Sequence, residues 1–246
     1  MPPNTPDSPW LRHFHPAPAA GVRLVTLPHA GGSASFFFPL SRALAPAVEV
    51  LAVQYPGRQD RRAEPCVDDL DTLADLITAE LLPLAGRPLA LFGHSLGAVL
   101  AYEVARRLER GGVPPHTLVV SGRRAPADQR GEGVHLLSDD ALLKTVTELA
   151  GEELPVPDEE VLAAALPSLR ADYRAVETYA YRPGPPLTVP VLALTGDRDT
   201  RATPEEARAW SRYTTGPFGL RVFDGGHFYL ARRPGQVAGV LRQSLA

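Results

Sequence analysis

The stretch "LALFGHSLGAVLAYEVARRL" (residues 89–108) holds a serine between two glycines, Gly93-His94-Ser95-Leu96-Gly97. The spacing G-x-S-x-G does chemistry when the serine occupies a tight turn between a buried strand and a helix, which lifts its hydroxyl out as a nucleophile. Here "LALF" reads as the strand and "LGAVLAYEVARRLERGG" as the helix. Gly93 and Gly97 would let those two backbones approach closely. The competing reading is a serine N-cap, its hydroxyl bonded to a helix amide. The strand before and the helix after favour the nucleophile.

A serine hydroxyl attacks poorly without a base. On such a turn the partners follow in the chain order serine, acid, histidine. Of seven histidines, only His227, in "FDGGHFYL", falls after the last predicted strand and before the final helix. The acid lies in "LALTGDRDTRATPEE", where Asp197 and Asp199 compete. Asp197 directly follows the strand and could instead shape its turn. Asp199 lies further into the loop, within reach of the base it would orient, and is favoured. Asp224 is too near His227, and "GRRAP" after the preceding strand offers no acid. Two backbone N–H groups must hold the oxyanion. Leu96, after the nucleophile, supplies one, and Ala30 in Pro28-His29-Ala30-Gly31-Gly32-Ser33 is expected to supply the other. His29 and His94 flank this machinery and read as hydrogen-bonding structural residues.

These residues need a scaffold. "VRLVTLP" (22–28), "VEVLAVQYP" (48–56), "PLALFGH" (88–94), "HTLVVSG" (116–122), "PVLALTG" (190–196) and "LRVFDG" (220–225) read as strands. Helical patterns cover 67–84, 96–110, 203–214 and 234–245. Thr203 and Pro204 form a helix start of cap and first-turn proline. The alternation predicts a mostly parallel, doubly wound α/β sheet of the α/β-hydrolase fold, in one domain spanning 1–246. Residues 123–187 contain no convincing strand but two helical stretches, 138–151 and 157–180, with Ser138 at a helix start. That insertion, about 124–187, is expected to cap the carboxyl edge of the sheet, where ligands bind in open α/β sheets.

Composition narrows the class. The chain has 246 residues, 44% hydrophobic and 22% charged, which is ordinary for a globular protein. A net charge of −3 argues against a nucleic-acid binder. No apolar run approaches the roughly 20 residues of a membrane span. The proline-rich start, "MPPNTPDSPWLRHFHPAPAAG", lacks the pattern of a signal peptide. One cysteine, Cys66, permits no internal disulfide, and no Cys/His cluster signals zinc. A cytoplasmic protein without metal or cofactor is expected.

The sequence resembles the type II thioesterases, discrete editing enzymes that accompany modular polyketide synthases and nonribosomal peptide synthetases. The matching stretches are "LPHAGGSASFF" (27–37), "VQYPGRQDR" (53–61), "LFGHSLGA" (91–98), "LPSLRADYRAVETYAY" (166–181), "LTGDRD" (194–199) and "GGHFYL" (225–230). The "LRADY…ETY" stretch is the most telling, because the generic fold asks for nothing of the kind there. The resemblance implies a Ser95–Asp199–His227 triad. It also implies a substrate carried as a thioester on the phosphopantetheine arm of an acyl or peptidyl carrier protein. The implied task is removal of aberrant acyl units. One departure stands in the lid, where "LAGEELPVP" replaces a Gly-Gly-Thr-Pro type of turn. An acidic carrier would meet arginines. Arg58, Arg61 and Arg62 form one cluster and Arg123 and Arg124 another, unless these are ordinary solvated side chains. Phe36, in the run Phe36-Phe37-Phe38, is expected either to line the acyl pocket or to pack beside the oxyanion loop. Alternatives are a hydrolase of free small esters, a product-releasing thioesterase, and a non-catalytic binding module.

Overall fold

Seven strands form a single sheet in the order β1-β3-β2-β4-β5-β6-β7 in a computed structural model that describes residues 8–155 and 158–246. They are β1 (Leu11–Arg12), β2 (Arg23–Leu27), β3 (Glu49–Val53), β4 (Leu89–His94), β5 (Leu118–Ser121), β6 (Val191–Gly196) and β7 (Phe218–Phe223). Only the β1–β3 pair is antiparallel. Every residue of β3, β4, β5 and β6 is buried, as continuous apolar strands with both faces covered must be. The helices are α1 (Phe38–Leu44), α2 (Leu70–Leu81), α3 (Leu96–Arg110), α4 (Asp139–Ala150), α5 (Glu159–Glu177), α6 (Pro204–Arg208), α7 (Tyr229–Arg232) and α8 (Pro234–Ser244). This is the mostly parallel α/β-hydrolase architecture.

The central unit is β4–turn–α3. α3 is built from Leu, Ala, Arg and Glu, strong helix formers. It is buried on all sides from Leu96 to Ala105, only Leu108 being buried beyond that, and ends at Gly111-Gly112, Gly112 having φ +77°. β4 is paired with β2 and β5, setting Gly93 beside Leu27 and His94 beside Ser121. The loops after β2, β4, β5, β6 and β7 therefore converge on one edge. Between β5 and β6 the chain leaves the sheet and, among the described residues, forms no strand until β6. α4 and α5 occupy this insertion and roof that edge.

Sequence and structure differ at element ends. β1 is only two residues long, too short for a periodic signal. β7 runs two residues earlier than its predicted span, because Asp224–Gly226 turn away, with Gly225 at φ +151°. The predicted helix 203–214 is α-helical only to Arg208 and then tightens to a 3-10 form through Tyr213. Trp210 and Tyr213, three apart, stack against Tyr102, and that spacing suits three residues per turn. Thr203 and Glu206 form a full capping box. Pro157, the predicted start of the second lid helix, and the first seven residues of the proline-rich arm lie outside the described residues. Among the described residues, no helix is long and apolar enough to cross a membrane.

The β4–α3 joint makes the fold intolerant of side chains at two points. A Cβ on Gly93 would lie 1.9 Å from the Gly97 carbonyl oxygen, and one on Gly97 would lie 2.1 Å from the Leu27 oxygen. Gly93→Ala is expected to destabilise by about 3 kcal/mol, the upper end for overpacking. Gly86→Ala, where a Cβ meets nothing within 4 Å, should stay within about 0.5 kcal/mol. Urea midpoints of the two variants check this, and equal midpoints would refute it.

Candidate active site

Ser95 stands at φ 56°, ψ −117°, a left-handed conformation shared by one other non-glycine residue among those described, Gln59. Such backbone costs of order 1–3 kcal/mol and is held by its surroundings. Here the Ser95 N–H donates to the Ser121 carbonyl at 2.8 Å. The Ser95 side chain makes no capping hydrogen bond to α3. The N-cap reading therefore fails, and the hydroxyl opens on a chamber that His227 also lines.

Asp199 and His227 meet in the interior, their side chains 0% and 1% exposed. Both Asp199 oxygens lie 3.0 Å from His227 Nδ1. A buried carboxylate only accepts, so Nδ1 carries the proton and Nε2 presents its lone pair. Asp199 is fixed in turn by N–H groups of Arg201 at 2.7 Å and Ala202 at 3.2 Å. Asp197 has the turn-shaping role, accepting from the Gly225 N–H at 2.9 Å. Gly196 allows the loops to close: a Cβ there would lie 2.3 Å from the Gly226 oxygen. His227 Nε2 is buried without a hydrogen-bond partner. Ser95 and His227 thus share a chamber without being bonded to each other. Such contacts often tighten only when substrate arrives.

The loop after β2 presents the second candidate donor. Gly31, at φ +73°, turns its N–H away to Asp172 Oδ2 at 2.7 Å. Ala30 lines the chamber, and among the described residues its N–H has no partner. Leu96 opens α3, where an N–H has no acceptor within the helix. His29 and His94 stay neutral. Burial, then the neighbouring His227 and Arg58, lowers the His29 pKa to about 3. Burial, then His227 and His29, holds His94 well below its usual value. His94 Nδ1 pairs with Ser121 Oγ at 2.9 Å, which meets Tyr229 Oη at 2.8 Å. Phe36 does not line the chamber. It packs behind the loop, 4.5 Å from the His29 ring and stacked on His94 at 6.0 Å.

The insertion completes the chamber, which encloses about 170 Å³. Val146, Leu149, Leu154, Leu162, Leu169 and Tyr173 form its apolar roof over Ser95, Ala30 and His227. Sequence reasoning missed the residue that seats this roof. Asp172, fully buried on α5, takes the Gly31 N–H and a bidentate pair from Arg58 at 2.9 and 3.0 Å. Burial raises its carboxyl pKa, against the pull of Arg58. A signal was present: Asp172 falls on the helix face of Leu169, Tyr173 and Val176, an acid on an apolar stripe. Glu153 was also missed. It lies in the turn after α4 and accepts from the Gly226 and Phe228 N–H groups.

The expected arginine docking patch is corrected at Arg58, Arg61 and Arg124, which are buried. Arg58 is only 6% exposed and committed to Asp172. Arg61, also buried, binds Glu64 and the Gln54 carbonyl and stacks over Trp10. Arg123 is partly buried with an unpartnered Nε, and desolvation followed by Arg124 pulls its pKa down to about 10. Arg124 is buried and paired with Glu206. Arg58, Arg61 and Arg124 are buried against partners within the chain and present no free charge, whereas Arg123 is half-buried with no ion-pair partner among the described residues. Arg62 alone is exposed.

Residues 22–245 match the sequence model of the thioesterase domain. The chain is 54% identical over 237 residues to the probable cadicidin biosynthesis thioesterase of Streptomyces griseus, covering 96% of this chain and 66% of that protein. It is 56% identical over 225 residues to thioesterase PikA5 of Streptomyces venezuelae, covering 90% of this chain and 80% of that one. Among solved structures it resembles the type II thioesterase BorB from the borrelidin biosynthetic cluster. There the TM-score is 0.92 and the identity 52%, over 96% of this chain and 98% of that chain.

Two outcomes follow from the buried charges. Arg58→Met leaves Asp172 uncompensated and should cost roughly 3–5 kcal/mol, whereas Arg58→Met/Asp172→Leu should recover most of it. Urea unfolding of the three proteins decides, and additive losses would exclude the pair as the cause. The second outcome concerns pH. His29 and His94 have folded pKa values below the unfolded value of about 6.5, so the unfolded chain binds protons first. Their stability contribution is present above pH ~6.5 and is lost as pH falls, towards about 3 for His29. His29→Phe should flatten that acid-side slope in urea midpoints measured between pH 7 and 4; an unchanged slope would oppose it.

Proposed function

This chain belongs to the thioesterase family, and from that membership we propose that it hydrolyses acyl thioesters held on the phosphopantetheine arm of acyl or peptidyl carrier proteins, clearing aberrant acyl units from a polyketide or nonribosomal peptide synthase in the cytoplasm. The observation that carries the reading is the convergence of Ser95, Ala30 and His227 on one small apolar chamber. The Asp199 carboxylate behind His227 supports the same roles.

In this reading His227 Nε2 takes the Ser95 proton as Oγ attacks the thioester carbonyl. The Ala30 and Leu96 N–H groups receive the oxyanion. The C–S bond then breaks and the arm leaves as a thiol, taking from His227 the proton that came from Ser95; its pKa of roughly 8.5 makes it a better leaving group than an amine. Asp199 stabilises the imidazolium meanwhile. Water, deprotonated by His227, then cleaves the acyl-Ser95 ester. The path asks for no metal or cofactor. A chamber of about 170 Å³ suits a short acyl group better than a finished chain, since ligand pockets for drug-sized molecules run to roughly 300–1,000 Å³. That favours editing over product release.

The test is release of acetyl, butyryl and long-chain acyl groups from a holo acyl carrier protein. Wild type should clear the short groups faster, and Ser95→Ala should lose at least about 1000-fold. Preference for the long chain would favour product release. Ser95-dependent cleavage of free esters, with carrier thioesters untouched, would replace the proposal by an ester hydrolase.

A further inference from the structure

The turn that follows α4 does more than lead into α5. Its Glu153 reaches across to the loop that carries His227. Glu153 Oε1 accepts from the Gly226 N–H at 2.6 Å, and Oε2 accepts from the Phe228 N–H at 2.7 Å. The two oxygens thus hold the N–H groups of the residues on each side of His227. Bonds from N–H groups to an ionised carboxylate are the short, strong kind. Gly225, at φ +151°, leaves room for this approach, since a Cβ there would lie 2.7 Å from Glu153 Oε1. One residue earlier, the Glu152 carbonyl accepts from Arg232, which lies just beyond the same loop.

The rest of α4 is mostly only partly buried. Leu142 is its only buried residue, although Val146, Thr147, Leu149 and Ala150 face the chamber. On the outer side, an open cleft of about 310 Å³ is lined by Glu153, Gly226 and His227. Leu149, Ala150 and His227 line both spaces. Glu153 therefore sits at the partition between solvent and the reacting groups, joining the roof to the base.

We propose that Glu153 is a positioning residue: from the lid turn it fixes the backbone on both sides of His227, so that the roof and the general base are set in place together. The proposal rests on the reading of His227 as the base for Ser95. Asp199 fixes the tilt of the ring from one side; Glu153 fixes where its backbone stands. When the turn lifts, both N–H groups are released and Nε2 loses its aim at Ser95.

The experiment compares wild type, Glu153→Gln and Glu153→Ala. Turnover is read on a soluble butyryl N-acetylcysteamine thioester. Labelling of Ser95 by an alkyl fluorophosphonate is read alongside, a reaction in which the Oγ–P bond forms, fluoride leaves and His227 takes the proton. A displacement of about 1 Å can cost roughly 100-fold. Both rates should fall together by about 10–100-fold, with KM within about twofold and the thermal midpoint within about 2 °C. Amide exchange adds a reading on the unaltered protein: the Gly226 and Phe228 amides should be protected in wild type and exchange faster in Glu153→Gln, with the sheet core unchanged. Folded variants with unchanged rates, or losses that merely track the thermal midpoint, would overturn the proposal. So would unprotected amides in wild type, which decides the matter even where the variants do not fold. A wild type that is never labelled at Ser95 would instead defeat the functional reading and leave the latch to the exchange data.

Discussion

The close approach of β4 to α3 governs everything at this edge of the sheet. The strand must become a helix within one residue, and only bare backbone fits at Gly93, against Gly97, and at Gly97, against the end of β2 at Leu27. The cost falls on Ser95, held at φ 56°. The return is a hydroxyl that cannot fold back to cap its own helix and an adjacent N–H, on Leu96, with no helical acceptor. The Ser95 hydroxyl and the Leu96 N–H thus owe their placement to a single backbone constraint, and the parallel register brings the other loops to the same edge.

The insertion is tied to this machinery by carboxylates that reach backbone amides. Asp172 orders the loop after β2 through Gly31, leaving the Ala30 N–H free among the described residues. Leu169 closes over Gly31 so tightly that a Cβ there would lie 2.3 Å away. The sheet alone would leave the chamber open to water. The roof supplies apolar walls, and its polar ties decide where the loops beneath it stand. A buried ion pair such as Arg58–Asp172 adds little net stability over apolar residues of the same volume. Its contribution is to fix one arrangement of three segments distant in sequence.

Most of the fold was legible because its signals are local. Continuous Val/Leu runs marked the buried strands, and the turn glycines marked Ser95. Chain order singled out His227, and loop depth separated Asp199 from Asp197. The arginines were misjudged for a physical reason. A guanidinium looks the same in sequence whether it is solvated or paired, and the partners of Arg58 and Arg124 lie 114 and 82 residues away. Glu153 was hidden likewise, since a carboxylate in a loop carries no local mark of the amides it will meet. Phe36 resolved towards packing, because the rings of His29, His94 and Phe228 surround it.

Three imidazoles crowd this site, and they differ in what stands behind each ring. The His94 ring lies 5.0 Å from His227 and 6.0 Å from His29. Each of the three has a buried nitrogen without a partner. A proton placed on any of them would be expensive unless a counter-charge stood behind it. His94 has only the neutral Ser121 hydroxyl on its Nδ1, and His29 has Arg58 nearby, which repels a positive charge. His227 alone among them has a carboxylate, with both oxygens at 3.0 Å. Neutral His29 and His94 also keep positive charge away from the His227 ring. Asp199 thus sets His227 apart from its two uncharged neighbours, since of the three rings only this one has a carboxylate behind it.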